Sequence, residues 1–141
     1  MLQHQSHPVH FYNALAANDP ESSILLWNKI KEKEGRDKSF MVLINSRKDR
    51  KERSEQLTSA VSNLKFDKLI LTGENVHQVK VMAEKSGINE GKIIPIGQDQ
   101  PQAQIGKLSP SIQDEVVIVA FGNMGAGGAE LSKYFEQNKI A

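Results

Sequence analysis

The residues best suited to binding a ligand follow a short apolar segment at residues 40–44. Residues 45–53 read Asn-Ser-Arg-Lys-Asp-Arg-Lys-Glu-Arg, so arginines recur at every third position with Asp49 among them. Residues three apart are neighbours on a helix, and the guanidinium fork suits bidentate pairing with a carboxylate or phosphate. A charged run is usually a solvated helix start, but cations at a helix N-terminus oppose the helix dipole. We therefore expect Arg47 and Arg50 to meet an anion or a buried carboxylate, on one helical face with Arg53.

A second candidate loop, residues 13–20, reads Asn-Ala-Leu-Ala-Ala-Asn-Asp-Pro, and its small side chains allow a ligand to approach closely. Asn18 offers a donor and acceptors, whereas Asp19 offers acceptors only. Asp19 followed by Pro20 is also a common helix start, in which the aspartate caps the first amide groups. For Asp19 a capping role and a ligand role both stay open, and Asn18 is the better candidate for a ligand contact.

The third candidate loop, residues 122–128, is rich in glycine and follows the most apolar segment of the chain. Glycines between a buried strand and a helix expose backbone amides that can cradle a phosphate or a carboxylate. The amides in question belong to Gly122, Asn123, Gly125 and Gly127. Their spacing is not that of a dinucleotide fingerprint, and the sequence contains no GxxxxGK[ST] phosphate loop. The chain is therefore not expected to hold a nucleoside triphosphate and its magnesium by itself.

The loops need a scaffold, and the sequence predicts one by alternating short apolar segments with longer amphipathic ones. The predicted strands are residues 9–13, 40–44, 68–72, 93–96 and 116–121. The predicted helices are residues 20–35, 48–64, 76–86 and about 129–137, with a polar connector at residues 98–113. The apolar stripes of the first two helices are Ile24, Trp27 and Ile30, and Leu57, Val61 and Leu64.

This alternation predicts an α/β fold, in which right-handed crossovers build a mostly parallel sheet. We expect one three-layer, Rossmann-like domain over residues 9–141, with helices on both faces of the sheet. Residues 1–8 are expected to be a disordered or extended lead. Ligands of such sheets bind beyond the carboxyl ends of the strands, which is where all three candidate loops lie.

The composition excludes several classes of protein. Of the 141 residues, 38% are hydrophobic and 25% charged, with a formal net charge of +1, which indicates a globular chain without general attraction to nucleic acid. The chain has no cysteine, so disulfides, thiol nucleophiles and cysteine-based zinc sites are excluded. The histidines are scattered, and no metal site is predicted. No segment has the roughly 18–20 apolar residues that span a bilayer.

Four segments of the chain, in the same order, resemble the PgsB/CapB family of poly-γ-glutamate synthases. Residues 10–19 resemble the family segment HFxNxFAAND, and residues 45–56 resemble NCRxDRxDRxxQ. Residues 69–74 are similar to the LILxGE strand, and residues 117–130 to the late strand with its glycine-rich turn. Ser46 and Leu15 stand where the family segments have cysteine and phenylalanine. The serine argues against an essential thiol at that position.

The resemblance implies a Mur-ligase-like enzyme, of which this chain would be the third, carboxyl-terminal domain. Such ligases use ATP to convert a carboxylate to an acyl phosphate, which an amine then attacks to give an amide. In this family the product is γ-linked polyglutamate, made for a capsule or as a free polymer. The phosphate loop and most Mg²⁺ ligands would belong to preceding domains. This domain alone would then have no catalytic residue and would be inactive.

The resemblance also implies partners and roles for single residues. Asn13, Asn18 and Asp19 would line a nucleotide-facing cleft, and Arg47, Asp49 and Arg50 would orient the carboxylates of glutamate or of the polymer. The implied partners are the N-terminal and central ligase domains and the membrane subunits of a synthase complex, with no nucleic acid. The implied location is cytoplasmic, at the inner face of the membrane. The alternative interpretation is a stand-alone, non-catalytic module that binds a nucleotide or an acidic peptide.

Overall fold

The structure is a computed structural model that describes residues 9–14, 19–35, 38–47, 49, 51–97 and 115–122. The described chain alternates strands and helices in the predicted order. The strands are β1 (Val9–Asn13), β2 (Ser39–Ser46), β3 (Lys68–Gly73), β4 (Ile93–Gly97) and β5 (Val116–Gly122). The helices are α1 (Pro20–Glu34), α2 (Lys51–Val61) and α3 (Val76–Lys85), and a 3₁₀ turn at Glu90–Lys92 precedes β4. The predicted lead, connector and last helix lie outside the described residues.

The five strands form one sheet in the order β1-β5-β2-β3-β4, and every neighbouring pair is parallel. The predicted α/β class with a parallel sheet is therefore confirmed. β5 lies between β1 and β2, and all seven of its residues are buried. β4 lies at an edge, as Pro95 predicts, because a proline cannot donate a hydrogen bond to a strand on its N–H side.

Side chains of the strands alternate between two cores, one on each face of the sheet. In β2, residues 40, 42 and 44 belong to the core that α1, α2 and α3 cover. Met41 and Leu43 belong to the second core, which contains no residue of the three described helices. The crossovers that contain these helices all step in the same direction along the sheet, and right-handed crossovers of this kind place their helices on one face. Helices on the second face stay a prediction, since the helix expected at about residues 129–137 is not described.

Helix α1 begins and ends where the sequence predicts. The Asp19 side chain caps its start, Pro20 occupies the first turn, and Gly35 ends it at φ 87° with its amide bonded to the carbonyl of Lys31. Trp27 and Ile30 are buried as expected. Ile24 is only half-buried, because the helix turns Ser23 toward the core instead, where its hydroxyl donates to the Asp19 carbonyl at 2.9 Å.

Helix α2 is shorter than the predicted range of 48–64, because β2 continues through Ser46 and the helix begins only at Lys51. Leu57 and Val61 are buried, whereas Leu64 follows the helix and packs at the margin of the same core. Arg47 consequently precedes the helix, so the predicted helical face shared by Arg47 and Arg53 is not formed. None of the described helices is long and apolar enough to cross a membrane.

A polar cluster closes the sheet at the end where β1, β5 and β2 begin. The Tyr12 hydroxyl donates to the Glu34 carboxylate, and the Lys38 ammonium lies 3.2 Å from Glu34 and 3.8 Å from Glu115. His10 contacts the other side of Glu115 at 2.5 Å. Burial raises the pKa of Tyr12 to about 12, and the Glu34 carboxylate adds to the effect. The cluster ties the end of α1 to three strands.

Candidate functional site

The described parts of the three candidate loops lie at one edge of the sheet, where β1, β5, β2 and β3 end. Asn13 is in register with Ala120, and Asn45 lies between Gly122 on one side and Thr72 on the other. The amide of Ala14 donates to the carbonyl of Ala120 at 2.9 Å, which holds the start of the first loop against β5. This is the edge at which parallel α/β sheets bind their ligands.

Buried, hydrogen-bonded polar side chains lie at the ends of the strands that form this edge. The Thr72 hydroxyl donates to the side-chain carbonyl of Asn45 at 2.7 Å, and both residues are 1% exposed. The Ser46 hydroxyl donates to the backbone carbonyl of Glu74 at 2.6 Å. Buried polar groups are stable only when they are hydrogen-bonded, so these bonds fix the ends of β2 and β3 relative to each other. The sequence had placed Asn45 and Ser46 in the charged loop, whereas they complete β2.

Two glycines allow the strand ends to approach closely. Gly73 (φ 90°) and Gly122 (φ 109°) flank the end of β2 on either side. A Cβ atom at Gly73 would lie 2.3 Å from the carbonyl oxygen of Ser46, and one at Gly122 would lie 2.2 Å from that of Asn45. Glycine is required at both positions, since it lacks the Cβ atom and tolerates positive φ. The predicted anion-binding role of Gly122 stays a prediction, and Asn123, Gly125 and Gly127 lie outside the described residues.

Arg47 and Asp49 follow the end of β2 and are paired with each other. The Arg47 Nε atom donates to Oδ1 of Asp49 at 3.0 Å, and its Nη2 atom donates to Oδ2 at 2.7 Å. The pair is exposed, with 36% of the Arg47 side chain and 56% of the Asp49 side chain accessible. Such an exposed pair contributes about 0–1 kcal/mol, so displacing Asp49 from the guanidinium costs little. Arg50, the third predicted residue of this loop, is outside the described part of the chain.

The first loop brings Asp19 to the same region. Its carboxylate accepts a hydrogen bond from the Ser22 amide at 3.0 Å, so the predicted capping role is confirmed. That backbone hydrogen bond, then the Ser22 side chain and finally the positive charge of Arg53 lower the pKa of Asp19 below its usual value. Asn13 is exposed at the end of β1, and Asn18 falls among the residues the structure does not describe.

Asn75 is a residue of this edge that sequence reasoning missed. It stands between β3 and α3 in the left-handed conformation, with φ 37° and ψ 43°, and its side chain makes no capping hydrogen bond. Its side-chain carbonyl oxygen is buried, with no hydrogen-bond partner among the described residues. Asparagine directly before a helix is the signal that could have drawn attention to it, because that position favours capping side chains.

The donor set of the edge decides which ligands it fits. No group of three or more histidine, cysteine, aspartate or glutamate side chains able to hold a metal ion occurs in the described part of the chain. In this structure the Asp19 carboxylate accepts a helix-capping hydrogen bond, and the Asp49 carboxylate is paired with Arg47. The edge offers amide groups and a guanidinium instead. These groups can donate hydrogen bonds to a phosphate or a carboxylate.

Residues 1–138 match the family model of the Poly-gamma-glutamate synthase CapB C-terminal domain. The chain belongs to this family. The resemblance drawn from the four sequence segments is therefore confirmed. The match shows the family of the CapB C-terminal domain but assigns no role to Asn13, Asp19, Arg47 or Asp49, whose ligand contacts stay predictions.

Two relatives show how the CapB C-terminal domain relates to longer proteins. PGA synthase CapB of Bacillus subtilis (strain 168) is 26% identical over 136 residues, which are 96% of this chain and 34% of that protein. The capsule biosynthesis protein CapB of Bacillus anthracis is 33% identical over 85 residues, which are 60% of this chain and 18% of that protein. The chain thus spans about a third of the length of the first relative.

A solved structure shows where else this fold occurs. A domain of a Haemophilus ducreyi protein, described as a UDP-N-acetylmuramate:L-alanyl-γ-D-glutamyl-meso-diaminopimelate ligase, superposes with a TM-score of 0.57. The match covers 94% of this chain and 95% of that one at 14% sequence identity. At that identity the match shows the fold alone, and it confirms the expected likeness of the CapB C-terminal domain to a Mur ligase domain.

Proposed function

We propose that this chain is the carboxyl-terminal domain of an ATP-dependent amide ligase that joins glutamate units into γ-linked polyglutamate. Membership of the CapB family and the Mur-ligase-like fold support the proposal. The observation that carries it at the level of residues is the shared edge at which β1, β5 and β2 end, where Asn13 and Gly122 close their strands beside the buried Asn45–Thr72 pair. Groups held by a buried hydrogen-bonded support keep a fixed geometry toward a neighbouring domain.

The proposed reaction has two steps. A γ-carboxylate oxygen attacks the terminal phosphorus of ATP, and ADP leaves. The amine of the next glutamate attacks the acyl carbon, the bond from that carbon to the phosphate oxygen breaks, and the nitrogen loses a proton. Preceding domains are proposed to supply the phosphate loop and most Mg²⁺ ligands. This domain closes over the reactants, aligns them and excludes water that would hydrolyse the acyl phosphate.

The second loop is proposed to recognise the substrate. Arg47, with Asp49 and Arg50, orients the carboxylates of glutamate or of the polymer, since a guanidinium pairs with a carboxylate through two parallel hydrogen bonds. Release of Asp49 from Arg47 costs little, because the pair is exposed. On this proposal the nucleotide-facing residues are Asn13, Asn18 and Asp19, and the anion-facing backbone belongs to Gly122, Asn123, Gly125 and Gly127.

The partners follow from the same proposal. The N-terminal and central domains of the ligase would complete the active site across from the carboxyl edge of the sheet. Membrane subunits of a polyglutamate synthase complex would hold the assembled enzyme at the inner face of the membrane, in the cytoplasm. No nucleic acid is expected, since the chain as a whole carries a net charge of only +1.

Calorimetric titration of ATP with magnesium tests the division of labour between domains. The chain alone should not bind ATP measurably, and adding the rest of the ligase with glutamate should produce both binding and phosphate release. Tight binding by the chain alone would contradict the proposal. That result would favour a stand-alone nucleotide-binding module.

Replacing Arg47 tests the proposed recognition of carboxylates. In the complete ligase, Arg47→Ala should lower the kcat/KM for glutamate by about 10- to 100-fold, the loss expected from one charge-assisted contact. Arg47→Lys should recover only part of the rate, because lysine keeps the charge but not the fork. Lys85→Ala, at the exposed end of α3, serves as the matched control. Unchanged polymer formation by Arg47→Ala, with the fold intact by circular dichroism, would refute the role.

A further inference from the structure

A second charged feature lies at the opposite end of the sheet from the candidate site. A groove of about 1010 Å³ opens beside the beginnings of β2 and β4 and the end of α1. Its lining contains the four lysines Lys31, Lys38, Lys65 and Lys92, against the two acidic residues Glu32 and Asp67. Lys38 is paired with the carboxylates of Glu34 and Glu115, so three lysines stand against the two acidic residues, an excess of one positive charge (three minus two).

Three of these lysines keep their charge available. Lys38 is paired with Glu34 and Glu115, but among the described residues no salt bridge involves Lys31, Lys65 or Lys92. The carboxylate of Asp67 is partly engaged, because it accepts the amide hydrogen of Phe40 at 2.8 Å. Positive charge without an internal partner is what an anionic ligand requires.

Two of the ammonium groups are held in place before any ligand arrives. Lys31 donates to the carbonyl of Lys65 at 3.2 Å, and Lys92 donates to the carbonyl of Phe66 at 3.1 Å. Lys31 lies 4.9 Å from the centre of the Phe40 ring, and Lys92 lies 5.3 Å from that of Phe66. An ammonium has three donors, so each lysine retains donors for a ligand. Because the side chains are already ordered, binding loses less conformational entropy.

We propose that this groove binds a polycarboxylate chain, a strand of γ-linked glutamate already made by the ligase. The choice of ligand rests on the proposed function, but the binding itself requires neither ATP nor the other domains. A single carboxylate gains little from an exposed lysine, whereas a polymer engages several lysines at once. The volume also exceeds that of most small-molecule sites, which fits a chain segment better than free glutamate. The groove holds the polymer at the end of the domain opposite the candidate site, which lies where β1, β5, β2 and β3 end.

The test measures the anisotropy of fluorescein-labelled poly-γ-glutamate as the chain is added at physiological ionic strength. The double variant Lys31→Gln/Lys92→Gln should bind about tenfold more weakly, because two of the lysine–carboxylate contacts are lost. The matched control Lys51→Gln/Lys85→Gln removes the same charge from the groove between α2 and α3 and should bind within about twofold of the unchanged chain. Lys31→Arg/Lys92→Arg keeps the charge and should bind, which separates loss of charge from loss of fold.

The location of the bound polymer has its own reporter. Trp27 is the only tryptophan of the chain, and Lys31 lies 5.7 Å from its ring centre, so polymer that draws Lys31 away should change the fluorescence of Trp27. Free glutamate at equal carboxylate concentration should not produce the change. The proposal is overturned if the polymer does not bind, or if the two glutamine double variants lose affinity equally. It is also overturned if heparin binds equally well through the same lysines. If one of these results is obtained but the complete ligase still makes polymer, the proposed groove is wrong and the proposed function stands.

Discussion

Replacing Gly122 by alanine should destabilise the protein more than the same replacement at Gly87. Both glycines have positive φ, 109° and 101°, so an alanine meets the same type of backbone strain at either position. They differ in their surroundings. A Cβ atom at Gly122 would lie 2.2 Å from the Asn45 carbonyl oxygen, whereas one at Gly87 would meet nothing within 4 Å. The comparison therefore isolates the close approach of β5 to β2.

The expected magnitude is a sum of three contributions. Positive φ destabilises an alanine by about 1–2 kcal/mol. Alanine also reduces the conformational entropy of the unfolded chain, which stabilises the folded state by about 0.4–1 kcal/mol. Gly87→Ala should thus lower the free energy of unfolding by about 0–1.6 kcal/mol. Gly122→Ala adds an overpacking cost of about 1–3 kcal/mol, because the clashing atom belongs to the backbone of a buried strand and cannot rotate away.

Urea unfolding followed by circular dichroism measures this difference. With a slope of about 1–3 kcal/mol per molar urea, the midpoint of Gly122→Ala should lie roughly 1 M below that of Gly87→Ala. A typical stability of about 5–15 kcal/mol leaves both variants folded in water. If the two variants agree within about 0.5 kcal/mol, the ends of β5 and β2 are not in the contact described, and the inferred reason for glycine at this position is wrong.

Two further predictions concern stability. Thr72→Val removes the hydroxyl that satisfies buried Asn45 and should cost about 1–3 kcal/mol, measured by urea unfolding. Thr58→Val should cost less, because the Ser54 carbonyl that accepts from Thr58 lies within helix α2, where a backbone amide also donates to it. A cost below about 0.5 kcal/mol for Thr72→Val would show that the Asn45–Thr72 bond contributes little to stability. The pKa of Tyr12 is raised in the folded state from 10.0 to about 12, so its contribution to stability is complete below pH 10 and is lost as the pH rises toward 12. Tyr12→Phe should lose less stability than the unchanged chain over that interval, and equal losses in pH-dependent urea unfolding would contradict this linkage.

Local sequence signals predicted most of the scaffold. The apolar residues of β2, β3 and β5 indicate strands covered on both faces, and these are found within one or two residues of their predicted ends. Helix α1 was predictable at both ends, since Asp19-Pro20 and Gly35 act through neighbours in the sequence. The start of α2 was not predictable in this way. Asn45 and Ser46 are polar residues that lie in a strand, where side-chain hydrogen bonds link them to Thr72 and Glu74, which are distant in sequence.

The candidate site was predictable in outline and less so in detail. That three loops share one edge follows from the rule that parallel strands end together. The spacing of arginines suggested a helical face, but Arg47 instead forms an exposed pair with Asp49 ahead of the helix. Asn75 gave only a weak signal, because its left-handed backbone and buried side-chain oxygen result from the turn between β3 and α3.

By itself the sequence determined the alternation of strands and helices, the family and the three loops worth examining. Hydrophobic periodicity and capping residues act over a few positions, so they specify elements without naming their neighbours. Only the tertiary structure decided that β5 lies between β1 and β2 and that the three described helices share one face. The same packing makes Gly122 a close contact of Asn45. These features depend on which strands pair across the sheet, and that choice is made by contacts between residues far apart in the chain.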